Sequence, residues 1–149
     1  MNKSAKHQAI LSFIMVFIFG CYNAPTPLKI GVIGSGRMGG SVGLRWAEAG
    51  HEILFSSRHP DQLSDLVTQA GPRARAGYPQ EAAEFGDIIF IAVPYAATPQ
   101  VGRDYGPLMQ GKIVIDCGNP YVQRDGEMAA VTLEKRSEER RVGKECRSR

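Results

Sequence analysis

A chain of 149 residues is long enough for one domain with a real core and too short for two, since domains commonly run about 100 to 150 residues. Hydrophobic residues make up 43% and charged residues 22%, near the usual globular values, which excludes a disordered chain but neither an enzyme nor a binding module. The net charge of +3 does not mark a nucleic-acid binder: Arg136, Arg140, Arg141, Lys144, Arg147 and Arg149, set against Glu138, Glu139 and Glu145, carry all of it. Without Lys3 and Lys6 the remaining body comes to about −2, no electrostatic footprint for a polyanion.

Residues 1–27 read as a signal-like or anchor segment with a linker. Lys3, Lys6 and His7 precede the apolar run Ala9 to Gly20, the pattern of a secretory signal. The run is too short to span a bilayer comfortably, where about 20 residues are needed. Ile18-Phe19-Gly20-Cys21 resembles a lipoprotein processing box, although Phe19 is bulkier than usual; a misassigned start or a simple N-terminal helix is the alternative. Export would place the protein in the bacterial periplasm or on its membrane, and otherwise it is cytoplasmic. Pro25 and Pro27 make Asn23 to Pro27 an extended linker.

Leu28 to Ile33 is a short apolar run of the kind that forms a central parallel strand buried on both faces. It runs directly into Gly34-Ser35-Gly36-Arg37-Met38-Gly39, a G-x-G-x-x-G. The first glycine permits the tight turn, the second lets backbone approach a pyrophosphate, and the third allows close helix–strand contact. A helix to about Ala49, ended by Gly50, then aims its amides and dipole at the phosphates. The strand before and the helix after turn a weak motif into a dinucleotide-binding signature.

His51 to Ser56 reads as the second strand, and the residues after it select the cofactor. A site for NAD places a carboxylate there to accept from the ribose 2′-OH. Here stand Ser57 and Arg58, which suit a 2′-phosphate, because arginine pairs with it through parallel charge-assisted hydrogen bonds. The cofactor expected is therefore NADP, with an ordinary surface arginine as the alternative for Arg58; His59 reads as a solvated loop residue. Pro60 opens a helix over Asp61 to about Gln69, closed by Gly71.

Arg73 to Gly77 reads as a short third strand and Pro79 to Phe85 as a short helix, whose Glu81 and Glu84 offer carboxylates for acid/base chemistry but at this spacing read as a solvated face. Asp87 to Val93 is the clearest strand, and it stops at Pro94. Ligands of doubly wound sheets lie outside the carboxyl ends of the strands, so Ala92, Val93, Pro94 and Tyr95 are expected to line the cleft. Tyr95 either stacks on the cofactor or simply packs. A helix over Thr98 to Met109 leads through Gly111 to the strand Lys112 to Asp116, which ends in Cys117-Gly118-Asn119-Pro120. Asn119 offers donor and acceptor to a carboxamide or ribose, or serves the turn before Pro120. Cys21, Cys117 and Cys146 lack metal-site or disulfide spacing, and Cys117 reads as a small buried residue.

Residues 136–149, RSEERRVGKECRSR, match the translation of a common sequencing-library adapter over R-S-E-E-R-R-V-G-K-E-C-R. The expectation is a non-native tail on a domain over 28–135 that is truncated at its C-terminus; a solvated basic helix is the alternative. The fold class expected is α/β, a doubly wound parallel sheet of the Rossmann type.

The segments IGVIGSGRMGGSVGLRWAEAGHEILFSSR, AEFGDIIFIAVP and KIVIDCGNPY resemble the NADP-dependent oxidoreductases of the deazaflavin coenzyme F-420 over about Leu28 to Ala130. That superfamily shares its first domain with pyrroline-5-carboxylate reductases and with the cytosolic domain of six-transmembrane metalloreductases. The resemblance implies that Gly34 to Gly39 form the phosphate loop, that Ser57 and Arg58 clamp the 2′-phosphate, and that Asn119-Pro120 form the turn near the nicotinamide. Where the family often adds a basic residue one turn after the arginine stands Gln62, implying a softer NADP preference. The activity expected is hydride transfer between NADP(H) and a deazaflavin, flavin or small organic acceptor, with no catalytic acid, base, nucleophile or metal ligand evident. Rival readings are a non-catalytic NADP-binding or sensing module and a pyrroline-5-carboxylate reductase-like enzyme. The partners expected are a small-molecule acceptor, no nucleic acid, a membrane only through the N-terminal segment, and a second copy in the intact protein.

Overall fold

The computed structural model describes residues 26–145. The signal-like segment and the end of the adapter-like tail lie outside the described residues. The elements in chain order are β1 (Lys29–Ile33), α1 (Arg37–Glu48), β2 (Glu52–Ser56), α2 (Ser64–Ala70), β3 (Ala74–Gly77), α3 (Pro79–Phe85), β4 (Ile88–Ile91), α4 (Thr98–Tyr105), β5 (Ile113–Asp116) and α5 (Val122–Glu145). The strands form one five-stranded sheet in the order β3-β2-β1-β4-β5, parallel throughout. The order reverses between β1 and β4, so this is the doubly wound α/β sheet expected, with its switch point beside the glycine-rich turn.

Alternation along the strands sends side chains to two cores, one on each face. Ile30, Val32, Ile53, Phe55 and Phe90 pack with Val42 and Trp46 of α1 and Leu66 and Val67 of α2. Ile33, Leu54, Ile89 and Ile91 pack on the other face with Ala82 and Ala83 of α3 and Val101 of α4. Trp46 meets the edge of Phe90 at 5.0 Å between centroids and 83° between planes, a T-shaped pair.

Close approach of helix and sheet depends on glycines inside the elements. A Cβ on Gly31 of β1 would run into the backbone carbonyl of Ala82, and one on Gly43 of α1 into the Phe55 ring. Both positions read from sequence only as ordinary strand and helix residues.

Several boundaries differ from those expected. The helix expected over Asp61 to Gln69 is a 3-10 turn, Pro60–Leu63, followed by α2. The helix expected over Thr98 to Met109 ends at Tyr105 and continues as a 3-10 turn, Gly106–Met109. Pro107 lacks an N–H and cannot extend an α-helix from within. β4 ends at Ile91 instead of Val93, which releases Ala92 and Val93 from the ladder. The helical segment α5 was not anticipated over Val122 to Lys135; it is interrupted at Gly126 (φ 61°, ψ −141°) and runs on to Glu145, where a helix was the alternative reading of the tail. β5 closes one edge of the sheet, with Ile113, Val114 and Ile115 exposed.

Alanine is the better helix former by about 1 kcal/mol over glycine, yet overpacking a core costs about 1–3 kcal/mol. Phe55 is fully buried and has no room to retreat. Gly43→Ala is therefore expected to destabilise the domain, seen as a lower melting temperature; an increase would show that the α1–β2 contact yields.

Candidate functional site: a dinucleotide cleft

Register places the site. Ile33 of β1 pairs with Ser56 of β2 and with Ile91 of β4, so these three strands end level and release Gly34, Ser57 and Ala92 side by side. A cleft of about 670 Å³ opens there. Its floor is Gly34, Ser35 and Gly36, one wall is Ser57, Arg58 and Gln62, and the other runs from Ala92, Val93 and Pro94 along α4.

Gly34 has φ 92°, the left-handed region that side chains disfavour, and a Cβ there would sit 2.7 Å from the Ala92 carbonyl oxygen. The Gly39 Cβ position is blocked by the Gly34 carbonyl, which explains the third glycine of the motif as a packing requirement. Gly36 is different, since a Cβ there would meet nothing within 4 Å. No neighbour among the described residues demands glycine at that position, and the space is what an approaching pyrophosphate needs.

Other features fit the same ligand. Gly36 caps α1 with no side-chain hydrogen bond, and the first turn of α1 holds no acidic residue. The first amides of a helix have no intrahelical acceptor, so those of Arg37, Met38 and Gly39 are available to an anion and backed by the helix dipole. The Arg37 and Met38 side chains are exposed, whereas Gly39 is buried. The Ser35 hydroxyl is buried without a hydrogen-bond partner among the described residues, a cost that a ligand oxygen removes. Ser57 Oγ accepts from the His59 amide at 3.1 Å and keeps its own O–H to donate. The Arg58 guanidinium is exposed and has no hydrogen-bond or ion-pair partner among the described residues.

Asn119 and Pro120 do not line this cleft. The Asn119 carbonyl accepts from Arg124 Nη2 at 2.8 Å, and its side-chain amide donates to the Tyr121 hydroxyl at 3.2 Å. Tyr95 packs: its hydroxyl shares a 3.1 Å hydrogen bond with Thr132 of α5. Cys117 Sγ donates to the Ile91 carbonyl at 3.3 Å, and burial, reinforced by the Asp116 charge, pushes its thiol up and away from nucleophile chemistry. Glu81 accepts from the Tyr78 amide at 2.6 Å, so it serves the start of α3.

With that geometry in view, residues 29–120 match the family described as NADP oxidoreductase, coenzyme F420-dependent. The chain belongs to that family. The family's cofactor is NADP, and the cleft holds the donors such a cofactor requires. Metalloreductase STEAP3 of Rattus norvegicus is 27% identical over 95 residues, covering 62% of this chain and 18% of the metalloreductase. Among solved structures, a protein of Arthrobacter sp. FB24 assigned as an F420-dependent NADP-reductase is 24% identical with a TM-score of 0.56, over 62% of this chain and 46% of that one. An imine reductase of Streptomyces aurantiacus is 18% identical with a TM-score of 0.54, over 71% of this chain and 37% of its own. These two likenesses show the fold, and the chain spans less than half the length of each of the three proteins.

Two parts of the site escaped the sequence reading. The first is the inner row of α4, where Gln100, Val101, Asp104 and Tyr105, with Ala97 just before the helix, line the cleft at helical spacing. That spacing was available in the sequence and was the signal to follow. The second is Asp125, whose side chain is fully buried behind the Pro94–Ala97 turn. It accepts from the amides of Tyr121 (3.0 Å) and Ala96 (3.3 Å) and pairs with Arg124 Nη2 at 2.7 Å. Arg124, in turn, lies over the Tyr121 ring at 5.1 Å. No spacing rule in the chain connects positions 96 and 125.

The hydrogen bond from Arg124, helped by the two amides, holds the Asp125 carboxyl well below the usual carboxylate range. A carboxylate whose folded value is depressed stabilises the protein above its unfolded value, near pH 4, and that stabilisation fades as pH falls through the folded value. Asp125→Asn is thus expected to lower the melting temperature at pH 7, with the difference from the parent shrinking as pH drops below about 4. A gap that stays constant from pH 7 to pH 2 would show that the charge is not what matters.

Proposed function

We propose that this chain is the NADP-binding domain of an oxidoreductase that passes hydride between NADP(H) and a deazaflavin, flavin or small organic acceptor. The observation that carries the cofactor assignment is the pairing of Ser57 and Arg58 on the wall of the cleft, next to a glycine floor that leaves room at Gly36. The bound nicotinamide supplies the hydride chemistry. The chain's own residues do the positioning. The α1 amides and Ser35 hold the pyrophosphate, Ser57 and Arg58 hold the 2′-phosphate, and Ala92 to Pro94 form an apolar wall against which the cofactor lies.

The acceptor reading rests on the family match and on the reductases among the relatives, and it comes with a geometric condition. Positioning two reactants supplies many powers of ten in rate, so the acceptor must be held against the nicotinamide by a second wall. Asn119 and Pro120, which lie outside the cleft lining, enter this reading through the family resemblance alone, as the turn near the nicotinamide.

Replacing Arg58 by alanine is expected to weaken NADPH binding by about 1–3 kcal/mol, the scale of a charge-assisted hydrogen bond, and to affect NADH far less. Equal losses for both cofactors, measured by calorimetry, would remove the 2′-phosphate role. A panel of deazaflavin, flavin and imine acceptors, followed by NADPH oxidation at 340 nm, tests the acceptor: turnover with none of them favours a binding or sensing module.

A further inference from the structure

Two α4 residues that line the cleft, Gln100 and Asp104, form with the exposed Arg103 behind them a polar triad that cofactor clamping does not use. Arg103 Nη2 donates to Gln100 Oε1 at 2.6 Å, and Gln100 Nε2 donates to Asp104 Oδ1 at 2.6 Å. Arginine has donors only, so it fixes the Gln100 oxygen toward itself and turns the amide NH2 toward Asp104. The Asp104 carboxylate is thereby oriented, and its second oxygen has no partner among the described residues. Gln100 and Asp104 line the same cleft as Arg58 and Gln62.

The position of this acceptor relative to the clamp decides what it meets. In NADP the 2′-phosphate sits on the adenosine ribose, so a phosphate held by Ser57 and Arg58 fixes the adenosine end of the ligand there. The base on that same ribose then lies between the Arg58–Gln62 wall and the facing wall of α4. The exocyclic amine is the one donor on the adenine base, whose ring nitrogens N1, N3 and N7 accept, so it is the group a carboxylate can pair with. Hypoxanthine carries a carbonyl at the same place, with its donor moved to N1–H, so a carboxylate fixed opposite the 6-position meets an acceptor and is repelled.

We propose that Asp104, oriented by Gln100 and Arg103, accepts from the adenine amine and makes the cleft select adenine dinucleotides over hypoxanthine dinucleotides. This rests on the NADP reading above and names a specificity residue within it. Asp104 is a recognition group at the far end of the ligand from the nicotinamide.

The test compares the Kd values of NADPH and its 6-deamino (hypoxanthine) analogue on the full chain, by calorimetry or nucleotide fluorescence. The parent protein is expected to prefer NADPH by about ten-fold or more, the scale of one charge-assisted hydrogen bond. An asparagine offers both an acceptor and a donor, so Asp104→Asn is expected to bring the ratio near one by gaining affinity for the analogue. Asp104→Ala is expected to bring it near one by losing affinity for NADPH. A merely structural role would weaken both nucleotides equally and leave the ratio unchanged, which would overturn the proposal. A parent protein that binds both nucleotides equally well would overturn it too, while leaving NADP binding intact. Failure to bind NADPH at all would instead overturn the NADP reading and this inference with it.

Discussion

The turn at Gly34 is the constraint on which the rest of the site depends. β1 must end, reverse direction, and deliver the first amides of α1 to the level of the β2 and β4 ends within three residues. Only a residue free to adopt φ 92° beneath the Ala92 carbonyl does so without strain. Because Gly39 then packs directly on the Gly34 carbonyl, α1 is seated against the turn it leaves, and its dipole points into the cleft. The two cores hold that geometry from either face. Phe55 and Val32 anchor the α1 and α2 side, and Ile33 and Ile91 anchor the α3 and α4 side.

The opposite wall is set by a different kind of interaction. Released from the β4 ladder after Ile91, the chain must be held by something other than strand pairing. Asp125 does this through its bond to the Ala96 amide, with Arg124 balancing its charge, and Tyr95 adds a second tie to α5 through Thr132. A buried carboxylate satisfied by two amides and a guanidinium costs little once formed, whereas the same carboxylate without Arg124 is an uncompensated buried charge. The α5 segment thus supports the cofactor wall without touching the cofactor cleft. Among the described residues no helix is long and apolar enough to cross a membrane.

Cofactor preference, by contrast, is a property of a few loop atoms. Nothing in the order β3-β2-β1-β4-β5 distinguishes a site for NADP from one for NAD. In the function proposed above, the distinction lies in Ser57 and Arg58 at the end of β2, where a carboxylate would repel the 2′-phosphate. Gln62 beside them is neutral, so among the described residues Arg58 is the cation lining that wall of the cleft.

The amino-acid sequence by itself determined the strand–glycine–helix unit, the five strands and their parallel class, and the Ser57–Arg58 pair. Each of these is local: a run of apolar residues, a turn that demands positive φ, and side-chain chemistry a fixed step beyond a strand. Only the tertiary structure decided which side chains meet across the cleft. Gln100 and Asp104 line the same cleft as Arg58 because two helices on opposite sides of the sheet start from strands that end level, and Asp125 reaches Ala96 across a gap of 29 residues. Gly31 and Gly43 belong with these, since what requires glycine there is a carbonyl of α3 and a ring of β2. Helix and strand periods are written into neighbouring residues, but contacts between elements depend on register and packing, which become definite only when the whole sheet has formed.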